Sequence, residues 1–199
     1  QPYPLNDTLF PTVDPVDPYA LTEEERSVVQ RLIYSFADNE KLQAHVRFLY
    51  SVGGMYRAYN GNLLYHGCIP MQEDGAFASF EIDGQFWRGK ELLDRIDRLV
   101  RQAYFAADAQ QRQYGQDIMW CLWTGAQSPL FGKQKMATLE RYFVDDKATH
   151  EEKRNPYYDY RDRPETVSRI LEEFGMDPQH SHIINGHVPV KVRKGENPV

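Results

Sequence analysis

"NLLYHGCIPM", residues 62–71, decides how the chain is read. Residues 62–66 read as a short buried strand, with Leu63, Leu64 and Tyr65 running straight into His66-Gly67. "HIINGHVPV", residues 182–190, repeats the arrangement: Ile183 and Ile184, then Asn185-Gly186-His187. A strand end is a stiff mount for a ligand, and in open α/β sheets the sites lie at the carboxyl ends of the strands. Histidine binds metal through a neutral ring nitrogen. A neighbouring glycine lets backbone come close to an ion or a phosphate. The functional reading is that His66 and His187 share one metal. The plainer reading is two histidines satisfied in core or turn, because residues so far apart form no spacing motif.

Outward from these junctions the pattern is mostly helical. Five prolines in residues 1–20 make an extended lead-in. Thr22 and Glu25 form a capping box, and Val28, Val29, Leu32, Ile33 and Phe36 follow at helical spacing, so a helix is predicted over 22–37. Further helices are predicted over 39–51, 90–106, 108–123 and 164–175, with a short one near 136–143. In "FEIDGQFW", 80–87, Asp83-Gly84 between apolar arms predicts a tight hairpin. "GAQSPLFGKQK", 125–135, is a loop, and the tyrosine-rich run 145–163 reads as solvated. The expectation is a helix-rich α/β fold: about five helices, two core strands ending in histidine, and one hairpin. Two lone strands would leave unpaired edges, which points to partner strands outside the segment.

Composition narrows the function classes. With 199 residues, 41% of them hydrophobic, the chain can bury a core and is not wholesale disordered. A net charge of −6 argues against a general nucleic-acid binder but leaves room for a local basic cluster. Two cysteines, Cys68 and Cys121, are too few for a disulfide scaffold and fit a reducing, cytoplasmic setting. No apolar run is long enough to span a membrane.

Local chemistry adds candidates. Lys133, Lys135 and Arg141 gather cations near a helix start, which suits a phosphate; the alternative is a solvated helix end. Lys191 and Arg193 follow His187 on one face of an alternating pattern. The four residues expected to hold phosphate are therefore Lys133, Lys135, Arg141 and Lys191. Cys68 lies two residues past His66, but no orienting Asn or Asp is identifiable for a thiol nucleophile. His45, His150, His180 and His182 read as structural.

At "LYSVGGMYRAYNGNLLYHGCIPM", "SPLFGKQKMATLERYF" and "INGHVPVKVRKGENP" the chain resembles class III fructose-1,6-bisphosphatase, the bacterial form common in Firmicutes, a branch of the calcineurin-like metallophosphatases. The resemblance covers nearly the whole chain. It implies a much longer parent chain, of which residues 1–199 are the C-terminal part of a metallophosphatase sandwich. Such enzymes carry five blocks: Asp-x-His, Gly-Asp-x-x-Asp-Arg-Gly, Gly-Asn-His-Asp/Glu, a strand-end His-Gly, and Gly-His. The last two match His66-Gly67 and Gly186-His187, which implies that both ligate one ion of a dinuclear pair, often manganese. The first three are absent here, so no catalytic residue is assigned within the segment. Pro189 stands where many members carry a second histidine.

The implied activity is hydrolysis of fructose 1,6-bisphosphate to fructose 6-phosphate in gluconeogenesis, by a phosphoric monoester hydrolase. The implied partner is a sugar bisphosphate, with neither nucleic acid nor membrane involved. The segment alone is expected to be inactive and to bind manganese poorly. Two rivals remain: a related metallophosphoesterase acting on a phosphoprotein or dinucleoside polyphosphate, and a non-catalytic module. In the latter, Tyr157, Tyr158 and Tyr160 could serve an interface, including one between copies of the chain.

Overall fold

The computed structural model describes residues 3–188 and Gly195. The chain divides into two compact units, one of residues 1–53 and 138–150, the other of 54–137 and 151–199. Mixed helix and strand is the observed class.

The second unit holds both histidines. Strands β1 (Tyr56–Tyr59) and β2 (Asn62–Tyr65) form an antiparallel hairpin. Its turn, Asn60-Gly61, takes φ of 49° and 72°, the left-handed pair a two-residue hairpin requires. β3 (Phe80–Ile82) and β4 (Gln85–Trp87) form the hairpin expected at Asp83-Gly84. After helices α3 (Gly89–Phe105) and α4 (Ala109–Thr124) the chain returns through α6 (Tyr157–Tyr160) and α7 (Pro164–Glu173) to β5 (His182–Asn185). β5 pairs in parallel with β2, Asn62 opposite His182 and Tyr65 opposite Asn185. The sheet order is β1-β2-β5. The two strand-to-histidine junctions therefore leave one sheet edge side by side.

Two sequence expectations need correcting. Among the described residues there are five strands rather than two and a hairpin, because the Asn60-Gly61 turn adds β1 beside β2. Nor is β5 a buried strand: it lies at the edge of the sheet and Ile184 is 53% exposed. The core gathers instead under β2 and the following segment, where Leu63, Ile69, Leu93, Ile170, Leu171 and Tyr157 are almost fully buried. Burying such side chains contributes about 1.5–3 kcal/mol each. α3 buries one face because its apolar positions fall on one stripe: Leu92, Leu93 and Ile96 are all inaccessible. Its N-terminus is closed by a carboxylate from α7, as the Lys90 amide donates to Glu173 Oε1 at 3.1 Å. α3 and α4 approach so closely that a Cβ at Gly115 would lie 2.0 Å from the Ala103 Cβ.

The solvated run is also not featureless. Tyr157 is 2% exposed, and its hydroxyl shares a 2.7 Å hydrogen bond with that of Tyr65. It belongs to the core and is closed to an interface partner.

The first unit contains α1 (Glu23–Ala37), α2 (Glu40–Val52), α5 (Thr138–Phe143) and a 3₁₀ turn at Lys147–His150. The capping box is present at Thr22 and Glu25 as predicted. Neither α1 nor α2 buries a residue; Leu32, Phe36, Phe48 and Leu49 are all more than half exposed.

Candidate metal centre

β2 ends at Tyr65 and β5 at Asn185, opposite each other in the register, so the residues that follow travel together. The Gly186 amide donates to the His66 carbonyl at 2.9 Å, extending the parallel pairing one step. The Asn185 side-chain amide donates to the Gly67 carbonyl at 2.9 Å. His187 then takes φ +61°, a left-handed backbone that turns it out of the strand line. The result is convergence: His66 Nε2 lies 3.1 Å from His187 Nδ1, with ring centroids 5.0 Å apart and planes at 73°.

A third wall comes from residues 128–133. The Cys68 amide donates to the Pro129 carbonyl at 2.9 Å. Gly67 is required here by proximity, not by torsion, since a Cβ would sit 2.4 Å from the Pro129 oxygen. Ser128, wholly buried, fixes the wall: its Oγ donates to the Leu122 carbonyl and accepts from the Leu130 and Phe131 amides, each at 3.1 Å. Partial burial holds His187 below the ordinary imidazole value. His66 and the charge of Lys133 add to this, against a hydrogen bond to the Phe131 main chain. At neutral pH the ring is therefore uncharged, the form that offers a lone pair to a cation.

Two nitrogens about 2.1 Å from one cation, at a right angle, stand about 3.0 Å apart. The observed 3.1 Å thus fits a shared ion as well as it fits a hydrogen bond between rings. Among the described residues no third His, Cys, Asp or Glu joins them. The pair fits a cation as part of a ligand set without completing one.

The predicted cations have different surroundings. Lys133 lies near His187 but pairs with Glu152 at 2.7 Å, and the other Glu152 oxygen accepts the Ala137 amide. Lys135 is exposed on the same segment. Arg141 lies on α5, in the other unit, where it donates to the His150 carbonyl. Lys191 and Arg193 lie outside the described residues. Cys68 is 1% exposed and burial pushes its thiol up to about 12, so it is no nucleophile. Among the other histidines, His150 Nε2 donates to the Val144 carbonyl and His180 pairs with Asp177, both structural roles. Sequence reasoning missed Ser128 and Asn185. Ser-Pro is a turn signal that could have flagged the first; nothing local marks the second.

The model of the Firmicute fructose-1,6-bisphosphatase family matches residues 1–199. The class 3 fructose-1,6-bisphosphatase of Clostridium novyi (strain NT) is 57% identical over 198 residues, 99% of this chain and 30% of that protein. That of Clostridium botulinum (strain Alaska E43 / Type E3) is 55% identical over the same coverage. The chain thus spans about 30% of the length of the relatives it matches. No solved structure matches it significantly. Among the described residues, no helix is long and apolar enough to cross a membrane.

Proposed function

Because the chain belongs to the Firmicute fructose-1,6-bisphosphatase family, we propose that it supplies part of the active site of an enzyme that hydrolyses fructose 1,6-bisphosphate to fructose 6-phosphate and phosphate. The observation that carries this reading is the convergence of His66 Nε2 and His187 Nδ1 from two neighbouring parallel strands. In this reading both rings hold one ion of a dinuclear manganese centre in a calcineurin-like sandwich. The remaining ligands belong to the rest of the parent chain, which works in the cytoplasm in gluconeogenesis. Bound divalent cations would supply Lewis acidity and positive charge for phosphate-ester cleavage.

The chain's own residues hold the geometry. The Gly186 amide on the His66 carbonyl locks the two histidine backbones together. The Pro129 wall fixes Gly67 from behind. Lys133 brings positive charge beside His187, where a phosphate on the ion would meet it; its pairing with Glu152 holds the ammonium in place.

The test is manganese-dependent release of phosphate from fructose 1,6-bisphosphate by the full-length protein. His66→Ala and His187→Ala should each lower it at least about 100-fold, as loss of a ligand exceeds the loss of its supporting shell. Near-wild-type activity in either variant refutes the assignment.

A further inference from the structure

A sugar bisphosphate carries two anionic groups, and a site that cleaves one must also hold the other. On the reading that this chain serves a fructose 1,6-bisphosphate site, positive charge is needed in two places. Lys133 brings it to the first, beside His187. The second phosphate, which stays on the sugar as fructose 6-phosphate, needs cations of its own.

Residues 132–134 and 153–155 run antiparallel. The Gln134 amide donates to the Lys153 carbonyl at 2.8 Å, and the Asn155 amide to the Gly132 carbonyl at 2.9 Å. Lys133 and Arg154 face each other between these two bonds. A pair in that position is the closely spaced kind, with Cα atoms about 4.5 Å apart and both side chains on one face. Like charges directly opposite each other destabilise a ladder. Two cations here therefore cost stability. Glu152 relieves Lys133, pairing with it at 2.7 Å. Arg154 has no such relief: it is exposed, and among the described residues its side chain has neither a hydrogen bond nor a carboxylate partner.

What Arg154 does meet is a ring. Its guanidinium carbon lies over Tyr158, 5.9 Å from the ring centroid, and that of Arg161 lies 5.5 Å from the same centroid. Arg161 has a carboxylate beside it, Asp162, with Nε 3.5 Å from Oδ1. The ring is wedged from behind by Gly132, where a Cβ would lie 2.8 Å from the Tyr158 hydroxyl oxygen. A guanidinium over a ring gains from the cation–π attraction and keeps its N–H fork for a ligand. That fork matches phosphate with two parallel hydrogen bonds, which an ammonium group cannot do. The cations of this region therefore form two groups on one short ladder: Lys133 beside His187, and Arg154 with Arg161 at Tyr158.

We propose that Arg154 is a specificity residue that binds the retained phosphate of the sugar bisphosphate, with Arg161 adding charge beside it. The like-charge pairing with Lys133 then has a purpose: it sets the two phosphate positions on one face, one at the ion and one at Tyr158.

The test uses the full-length protein and two readouts. The first is calorimetric binding of fructose 6-phosphate with divalent cations chelated, so that the histidine site takes no part. The expected Kd is about 1 mM or tighter. Arg154→Gln should weaken it at least about tenfold, the loss of a charge-assisted contact, and Arg154→Lys should recover part of that. The melting temperature of Arg154→Gln should stay within about 2 °C of wild type, as for other surface changes. The second readout is manganese-dependent turnover of fructose 1,6-bisphosphate. In Arg154→Gln its KM should rise by a similar factor while kcat changes less, the signature of binding lost equally from substrate and transition state. Three results would overturn the proposal: no binding of fructose 6-phosphate by wild type, unchanged affinity in Arg154→Gln, or a fall in kcat with KM unmoved. Failure of the proposed function looks different: fructose 6-phosphate binds through Arg154, yet manganese yields no phosphate from the bisphosphate.

Discussion

The two glycines beside the two histidines look equivalent in the sequence, and the structure says they are not. At Gly67 an added Cβ would sit 2.4 Å from the Pro129 oxygen and 3.0 Å from that of Leu130. At Gly186 the nearest atom, the His66 oxygen, is 3.5 Å away, an ordinary contact. Relief at Gly67 requires a shift of about 1 Å, roughly the gap to normal carbon–oxygen contact. The atom that must move is a main-chain carbonyl in a segment pinned by Ser128 and bonded to the Cys68 amide. Overpacking of this kind costs about 1–3 kcal/mol. Loss of chain entropy in the unfolded state on replacing glycine by alanine returns about 0.4–1 kcal/mol. Gly67→Ala should therefore lose about 1.3 kcal/mol locally, the difference between the middles of the two ranges, and Gly186→Ala close to none. The assay is hydrogen exchange of a peptide spanning residues 66–71 in the full-length protein, where the Cys68 amide reports its bond to Pro129. Exchange should accelerate about 8-fold in Gly67→Ala. Wild-type exchange in Gly67→Ala, or an equal acceleration in Gly186→Ala, refutes the close-approach argument.

Gly115→Ala should destabilise the α3–α4 pair by about 1–3 kcal/mol, because its Cβ would fall 2.0 Å from that of Ala103; adding Ala103→Gly should restore most of the melting temperature. Asp83 accepts from the Tyr114 hydroxyl and pairs with Arg95, which hold its carboxyl below the usual range. A depressed carboxyl stabilises above its unfolded value, and that contribution disappears as pH falls through the folded one. Acidification below about pH 4 should thus loosen the β3–β4 turn in wild type, and acid-unfolding curves of Asp83→Asn should lack that component. The 199 residues expressed alone should bind a hydrophobic dye through the bare faces of α1 and α2, bind manganese weakly, and release no phosphate from fructose 1,6-bisphosphate. Turnover by the isolated chain would contradict the incomplete ligand set.

What could be read from the sequence follows from how local its cause is. The α1 start was legible because Thr22 and Glu25 satisfy each other within one turn, and α3 because its stripe repeats at helical spacing. The hairpin at Asp83-Gly84 is legible from its turn dipeptide, and Asn60-Gly61 carries the same kind of local signal for β1 and β2. The pairing of His66 with His187 was legible as a repeated strand-end pattern, and the parallel register of β2 and β5 is its physical basis. The cation cluster is a reading of closeness in sequence, and the chain passes from one unit to the other after Ala137, between Lys133 and Arg141. The wall behind Gly67 and the hold of Asn155 on the Met71 amide are not legible at all. Each depends on a bond between residues far apart in sequence, the Cys68 amide on the Pro129 carbonyl and the Met71 amide on the Asn155 side chain. A polar residue of this kind carries no periodicity. Its signature is a buried atom with more donors than its own loop can supply, and only coordinates reveal that.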